Sequence, residues 1–577
     1  MDTSANAAGV GSCGPARALT PLCVVDSPGE RTEEGGFPPL GPGIKVLMVW
    51  PRFPPSFWSL HGMLELVPHK ANQPPLGLVT IAALFPESWE VRLIDRTFEP
   101  LEDSDILWAD LVMVSGMGVQ KPDMLETLAR ARALGRRTML GGPHASVDRE
   151  VLLPFADHVV VGEPDEIFGE IAADLKRGSA RRYYEVREKP DVSKTPIPRF
   201  DLLKLEKYYL MPVQFSRGCP FQCEFCDIIT IYGRKPRTKP PERLLAELDA
   251  LYRLGWRRGV FIVDDNFIGN HKRALELVER LERWQSEHGY GFTFVTEASI
   301  DLAQRTELLE AMVRANFHWV FIGIESPSAE SLKETKKYQN LRRDLLESVR
   351  YIQGKGLLVS AGFIVGFDSD TEDIFERQKK FVELAAIPWA MTGFLGAPPT
   401  TPLYDRMARE GRLIPNSEML SNFDPPNFRT VLPLPVMLRG LRDILASLYS
   451  PAAFYERACR ALEYWETQPQ QRATSHSWRL TAQVVWRSVL VQGIWSSYRK
   501  TYWRFVRRAL GRWRGSAVKL DMAFQMLLSG HHFITYTRTV VGQLEGHLRR
   551  ALAEGNTGDV EPGGVRAGEM AAARATN

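Results

Sequence analysis

Short apolar runs ending in glycine, proline or acidic residues alternate with helix-like stretches from Ile44 to about residue 400. Little but layered parallel sheet can be built from that. The first series is IKVLMVWP, WEVRLIDR, DLVMVSGM, RRTMLGGP and DHVVVGEP, with helical segments such as PDMLETLARARALGR between members. Buried strands alternating with helices predict a doubly wound parallel sheet. In such a sheet ligands bind outside the carboxyl ends of the strands. The strand ends Ser115-Gly116-Met117, Gly141-Gly142-Pro143 and Gly162-Glu163 therefore mark one binding edge.

A second series follows: MPVQFSRG, GVFIVDDNF, GFTFVTEASID, HWVFIGIES, LLVSAGFIVGF and PWAMTGFLGAP, separated by helical segments such as PPERLLAELDALYRLG. Repeated βα units of this kind predict a full or partial barrel with its active site at the strand C-termini. The expected organisation is α/β throughout the first two units. Residues 44–178 form the doubly wound domain, 179–206 a charged, proline-punctuated linker, 207–424 the barrel and 425–554 a helical domain. Residues 1–43 and 555–577 lack periodicity and read as a disordered arm and tail.

Formal net charge is only +3, which is not the patterned basic excess of a nucleic-acid binder. The N-terminus has no signal-peptide pattern, and no apolar run reaches the roughly 18 residues of a spanning helix. Together these place the chain in the cytoplasm.

Of six cysteines, three fall in FSRGCPFQCEFCDI: Cys219, Cys223 and Cys226, just after the first strand of the second series. Zinc would want a fourth Cys or His nearby, and neither type recurs before His271. Iron–sulfur clusters are held by cysteine thiolates, and three of them leave one iron of a four-iron cluster open. A redox Cys223-x-x-Cys226 pair would leave Cys219 unexplained.

CPFQCEFC resembles the Cx3Cx2C signature of the radical SAM superfamily, with Phe225 as the aromatic before the last cysteine. That resemblance implies a 4Fe–4S cluster on Cys219, Cys223 and Cys226, with S-adenosyl-L-methionine (SAM) on its open iron. Electron transfer would then cleave SAM to methionine and a 5′-deoxyadenosyl radical. It also implies SAM contacts from Phe225, from Asp264, Asp265 and Asn266 after the second strand, from Glu325 ending the fourth, and from Gly362 and Gly366 in GFIVGF ending the fifth. Taken singly, an acidic strand end is a solvated loop and GxxxG is weak; the four in register carry the resemblance. A reducing partner such as flavodoxin or ferredoxin would supply the electron.

The first unit resembles a cobalamin-binding domain, in which Ser-x-Leu and Gly-Gly strand ends line the slot for the nucleotide tail. This implies cobalamin contacts from Ser115, Gly116, Met117, Gly141, Gly142, Pro143, Gly162 and Glu163. No Asp-x-His occurs anywhere, and the region taken to correspond reads IDRTFEP. Either cobalamin binds without histidine ligation, as in radical SAM methylases, or the domain has lost it; the first reading is adopted. Domain order and the stretches PRFPPSFWS and FCDIITIYGRKPR resemble the cobalamin-dependent radical SAM subgroup with a helical C-terminal extension, which includes hopanoid methylases.

In WSSYRKTYWRFVRRALGRWRG (495–515), Trp495, Tyr498, Tyr502, Phe505, Val506, Ala509 and Trp513 share one helical face, with Lys500, Arg504, Arg507, Arg508 and Arg512 opposite. Such a helix either lies in the interface of the inner membrane face, as a peripheral contact, or packs as an ordinary outer helix.

Two functions remain open. The first is methylation, through cobalamin, of an unactivated carbon on a hydrophobic, hopanoid-like or other lipid-like small molecule. The second is cyclisation or rearrangement with the same cofactors. Methylthiolation would bring further cysteines, and residues 44–218 contain none. A cofactor sensor would have no use for the three that are present. No acid–base residue near the substrate can be named.

Overall fold

The computed structural model describes residues 38–473 and 478–553. The expectations for residues 1–37 and 554–577 lie outside the described residues.

The first sheet has six parallel strands: β1 (Lys45–Trp50), β2 (Glu90–Asp95), β3 (Leu111–Ser115), β4 (Arg137–Gly141), β5 (His158–Val161) and β6 (Tyr183–Glu185), in the order β2-β1-β3-β4-β5-β6. Side chains alternate across a strand. Leu47 and Val49 of β1 accordingly enter one apolar layer with Val112 and Leu140. Val46 and Met48 enter the other, with Leu111 and Met139. Both faces are covered, as the continuous apolar runs require.

Two boundaries differ from expectation. Strand β6 lies inside the segment read as a linker and pairs with β5 through Val159, Val160 and Val161. Phe200, further along, is buried in the main core. Charge hid this strand, because an edge strand presents one side to solvent and needs no apolar run. Residues 38–43, assigned to the arm, also pack on the domain: the Leu40 N–H donates to Leu175 O at 3.3 Å.

The second sheet runs β7 (Met211–Val213), β10 (Gly259–Ile262), β11 (Thr293–Glu297), β12 (Phe317–Glu325), β13 (Leu358–Val365) and β14 (Ala390–Phe394), all parallel and in sequence order. A two-stranded ribbon, β8 (Ser216–Arg217) and β9 (Arg237–Thr238), frames the cysteine loop. β14 does not return to β7, so the barrel is partial. Its outer edge is blocked chemically: the Tyr449 hydroxyl accepts from Ala390 N–H at 3.0 Å and donates to Ala390 O at 2.6 Å. Occupying these groups removes an edge that could otherwise pair with another chain.

The remainder is helical: Leu434–Leu448, Pro451–Tyr464, Trp478–Ser488, a wide π-turn segment Val489–Trp495, Arg499–Trp513 and Ala517–Ala553. Leu434–Leu448, Pro451–Tyr464, Arg499–Trp513 and Ala517–Ala553 share one core with the barrel, while Val484 and Val491 pack in a separate cluster with Met63, Leu64 and Leu528. The Trp389 indole N–H donates to Ser529 Oγ at 2.9 Å across the join. Among the described residues no helix is long and apolar enough to cross a membrane.

The aromatic face of Arg499–Trp513 is covered by protein. Tyr498, Tyr502, Phe505, Ala509 and Trp513 are buried in the core, with the Phe505 and Tyr455 rings 4.9 Å apart. Arg508 on the opposite face pairs with Glu456 and Glu463. The packed-helix reading therefore holds for this face, and the expected membrane contact through it does not. Trp495, grouped with that face by its spacing, is instead exposed, because the π-turn segment ends there and breaks the helical phase.

Candidate functional site

The carboxyl ends of the two sheets face a common cavity of about 1050 Å³. Ser115, Met117, Gly141, Gly142, Pro143, Gly162 and Glu163 line it from the first domain, while Gln214, Arg217, Asp227, Val263 and Asp265 line it from the barrel. Gly116 does not. A Cβ there would meet Met124 Cε at 2.7 Å, so it faces the helix behind the strand.

Gly142 has φ +93° and ψ −171°, a conformation essentially restricted to glycine, and an added Cβ would sit 2.2 Å from Ser115 Oγ. Gly162 has φ +90°, and a Cβ there would meet Val186 O at 2.7 Å. These strand ends thus keep bare backbone at the cavity wall, which lets a broad planar ligand approach. Asn72 Oδ1 and Gln73 Oε1, on the same wall, are buried acceptors with no donor among the described residues. A corrin ring edged with amide N–H groups fits that chemistry.

Glu163 is engaged by the barrel: Arg217 donates to one oxygen at 2.8 Å and Arg237 to the other at 2.7 Å. Asp165 takes a second bond from Arg217 at 2.9 Å, which holds its carboxyl below the usual range although burial pushes the other way.

Cys223 is buried, Cys219 and Cys226 are half-buried, and all three are free thiols. Asn266 Nδ2 lies 3.9 Å from Cys219 Sγ, and Gln339 Nε2 lies 3.6 Å from Cys223 Sγ. Burial pushes the Cys219 and Cys226 thiols up, so ionising them requires a strongly positive group on the loop. Among the described residues no three His, Cys, Asp or Glu side chains gather around a single-ion position. A four-iron cluster needs its thiolates on separate irons. The loop fits that group rather than one ion.

Asp264 is turned away from the cavity. It accepts from Phe215 N at 2.8 Å, Ser216 N at 2.8 Å and Ser216 Oγ at 2.6 Å, bracing the turn that leads to the cysteines. Asp265 accepts from Gly218 N at 3.1 Å and reaches the cavity. Asn266 Oδ1 accepts from Ser299 N at 3.2 Å. Burial raises Asp264 to about 7 and Asp265 to about 6; burial and then repulsion from these two raise Glu297, ending β11, to about 8. Of the three, Asp265 alone reaches the cavity, where its carboxyl suits a cationic ligand, which SAM is.

Glu325 ends β12 at φ +63°, beyond a bulge that Asn340 Nδ2 secures through Gly323 O at 3.0 Å and Ile324 O at 2.9 Å. Strain of this kind in a non-glycine residue accompanies functional positions. Its carboxylate pairs with the half-buried Lys337. Lys337 Nζ also stands 5.9 Å from the Phe225 ring centroid. Gly362 lies opposite, where a Cβ would come 3.9 Å from Glu325 Oε2 and 3.0 Å from Phe321. Gly366, at φ +109°, donates to Asp370 Oδ2 at 2.9 Å.

The sequence reading missed the segment between β1 and β2. Phe53, Trp58, Leu64, Asn72 and Gln73 all line the cavity. A connection this long is uncommon for a βα unit, where two to six residues are usual, and its length was the available signal. Beyond Trp58 and Asn72, which belong to both walls, lies a second cavity of about 100 Å³. Phe261, Trp319, Trp389, Met391 and Phe533 make it largely apolar.

Residues 213–382 match the radical SAM superfamily, residues 68–172 a B12 binding domain, and residues 401–546 a domain of unknown function, DUF4070. The chain is 41% identical to an uncharacterized methyltransferase of Synechocystis sp. over 90% of its own length and 96% of that protein's. It is 35% identical to the hopanoid C-2 methylase of Rhodopseudomonas palustris over 86% and 94%. The solved structure of OxsB with aqua-cobalamin and SAM bound shares the fold, at TM-score 0.54, 15% identity and 90% and 82% coverage. TsrM from Kitasatospora setae, with cobalamin and a 4Fe–4S cluster, does so at 0.52, 17%, and 65% and 76%.

Two opposed α/β units sharing one cavity, one carrying a cysteine loop, define an enzyme that works with both a radical SAM centre and a corrinoid. The chain belongs to the cobalamin-dependent radical SAM methyltransferases. Its cofactors are a 4Fe–4S cluster, SAM and cobalamin. Cyclisation without methyl transfer is not favoured, since the relatives matching most of the chain are a methyltransferase and a methylase.

Proposed function

We propose that this enzyme methylates an unactivated carbon of a hydrophobic, polycyclic or otherwise lipid-like small molecule. The apolar second cavity carries this reading: it shares Trp58 and Asn72 with the main cavity, its lining is mostly aromatic and aliphatic, and its about 100 Å³ would seat one end of such a molecule whose remainder lies in the main cavity of about 1050 Å³. Relatives named hopanoid C-2 methylase and bacteriochlorophyllide d C-12(1)-methyltransferase support it.

When bound, the three cofactors supply an electron, a hydrogen-abstracting radical and the methyl group. Cys219, Cys223 and Cys226 would hold the cluster. Phe225, Asp265, Asn266, Glu325, Gly362 and Gly366 would hold SAM, with Asp264 bracing the turn beneath. Ser115, Met117, Gly141, Gly142, Pro143 and Gly162 would hold cobalamin, while Glu163 locks the two domains around it. Trp58, which lines both cavities and stands in edge contact with Phe321 at 4.9 Å, would orient the apolar substrate and exclude water from its reacting carbon. A reduced flavodoxin or ferredoxin would be the electron source.

The test is anaerobic turnover of the loaded enzyme with methyl-labelled SAM, a reductant and extracted hopanoids. Labelled lipid formed together with S-adenosylhomocysteine and 5′-deoxyadenosine is the expected result. 5′-Deoxyadenosine with label absent from every apolar product would overturn the reading.

A further inference from the structure

The helix Trp478–Ser488 is apolar on both sides. Leu480 and Val484 face inward, and its last turn joins a buried polar group, where Ser488 Oγ lies 3.3 Å from the Tyr502 hydroxyl and accepts from Gln492 Nε2 at 3.1 Å. Gln492 Oε1 in turn accepts from the Tyr455 and Tyr498 hydroxyls at 3.1 and 3.3 Å. Its outer side carries Trp478 and Trp486, 75% and 62% exposed, with Ala482 and Val485 also exposed between them. At 100° per residue these four span one arc of roughly 100°. Ile494 and Trp495, 49% and 71% exposed, extend the patch, and Trp503 joins it by donating its indole N–H to Gly493 O at 3.0 Å. A water-facing helix keeps its outer side polar; here the inner side is already filled by Leu480 and Val484, and tryptophan is left outside.

Charge along this stretch of the sequence has one sign. Between Glu466 and Asp521 the sequence has no acidic residue and eleven Lys or Arg. Arg499, Lys500, Arg504, Arg507 and Arg514 are exposed there, and none makes an ion pair among the described residues. Tryptophans that seat at a headgroup boundary, ringed by cations, complement an anionic lipid surface. The patch also has a route inward. Leu480, Val484 and Val491 pack on Met63, Leu64 and Val67, and Leu64 itself lines the main cavity. A single short helix, His61–Leu64, separates the patch from the site.

We infer that the face formed by Trp478, Val485, Trp486, Trp495 and Trp503 docks this enzyme on an anionic phospholipid bilayer. Docking seats the tryptophans at the headgroup level, brings the basic residues against lipid phosphates, and holds the wall formed by His61–Leu64 toward the bilayer. This is a different face from the aromatic side of Arg499–Trp513, and it does not depend on which molecule is methylated.

The test is flotation of the full, cofactor-loaded chain with phosphatidylcholine vesicles, with and without phosphatidylglycerol, and tryptophan quenching by lipids brominated in the acyl chain. The expected result is binding that requires phosphatidylglycerol, is quenched by the brominated lipids, and falls about tenfold or more in the triple variant Trp478→Ser/Trp486→Ser/Trp495→Ser. Iron and corrinoid content and circular dichroism of that variant should match the parent, since the three side chains stand outside the core. Absence of flotation, flotation unchanged in the triple variant, or binding without quenching would each overturn the proposal. So would tryptophan-dependent binding of an RNA oligomer or self-association in place of vesicles.

Discussion

Both oxygens of the Glu163 carboxylate, at the end of β5, are held by arginines of the ribbon that frames the cysteine loop: Arg217 at 2.8 Å and Arg237 at 2.7 Å. The pair Glu163–Arg237 thus ties the corrinoid domain to the radical SAM barrel at the rim of their shared cavity. Glu163, Arg217 and Arg237 are all largely buried, so the lock is shielded from salt.

Glu163→Gln leaves the Arg237 guanidinium buried without its partner, whereas Arg217 keeps Asp165. Breaking a buried pair from one side costs about 3 kcal/mol or more. The expected outcome is a lower denaturant midpoint for the cofactor-free chain, with the two α/β units unfolding in separate steps. Arg237→Met in the same chain should recover part of the loss. A residue serving only as a cofactor contact would leave the cofactor-free midpoint unchanged.

Serine at Cys219, Cys223 or Cys226 should abolish the roughly four irons and matching sulfide per chain, together with the visible absorption of the cluster. Cys459→Ser should leave all three intact. Cys459 is buried among the C-terminal helices, where burial pushes its thiol up to about 11. Metal analysis of anaerobically purified variants decides this.

Gly142→Ala places a Cβ 2.2 Å from Ser115 Oγ in a glycine-only conformation. Strain of about 1–3 kcal/mol and a narrowed slot are expected. Corrinoid content should fall at least about tenfold while iron content is retained, a split that general misfolding would not produce. Corrinoid and iron assays on one preparation check it.

Acid should remove the stability that three buried histidines supply, His318 on β12 and His531 and His532 on the helix Ala517–Ala553. Burial lowers His318, His531 and His532 to about 4. The folded chain keeps these rings neutral, while the unfolded chain protonates them near 6.5. Their contribution is therefore complete above pH 6.5 and is lost as pH falls toward 4, by about 3 kcal/mol for each histidine so shifted. Asp95, Asp265 and Asp370, raised to about 6 by burial, and Asp264 and Glu297, raised to about 7 and about 8, act with the opposite sign. The readout is thus a difference: His318→Gln should flatten the fall in thermal midpoint between pH 6.5 and 4 relative to the parent.

Local composition alone made much of this protein legible. The two βα series, the cysteine loop after the first barrel strand and the glycine-bearing strand ends all follow from what short stretches of chain must do: bury both faces of a strand, ligate iron, or keep a Cβ away from a ligand. Seven of the eight residues expected at the corrinoid edge do line the cavity. What tertiary structure decided is where side chains spend their polar atoms. Asp264 resembles Asp265 in sequence yet braces a turn, because Phe215 and Ser216 aim three donors at it. Glu163 was read as a corrinoid contact and is an interdomain lock, because Arg217 and Arg237 arrive from residues 54 and 74 positions later in the chain. Helical periodicity predicted the two faces of Arg499–Trp513 but not which of them is covered. That depended on Tyr455 and the helix Ala517–Ala553 burying the aromatic side, while the tryptophans of the preceding helix were left in solvent. Periodicity is a property of one segment; coverage depends on what the rest of the chain brings to it.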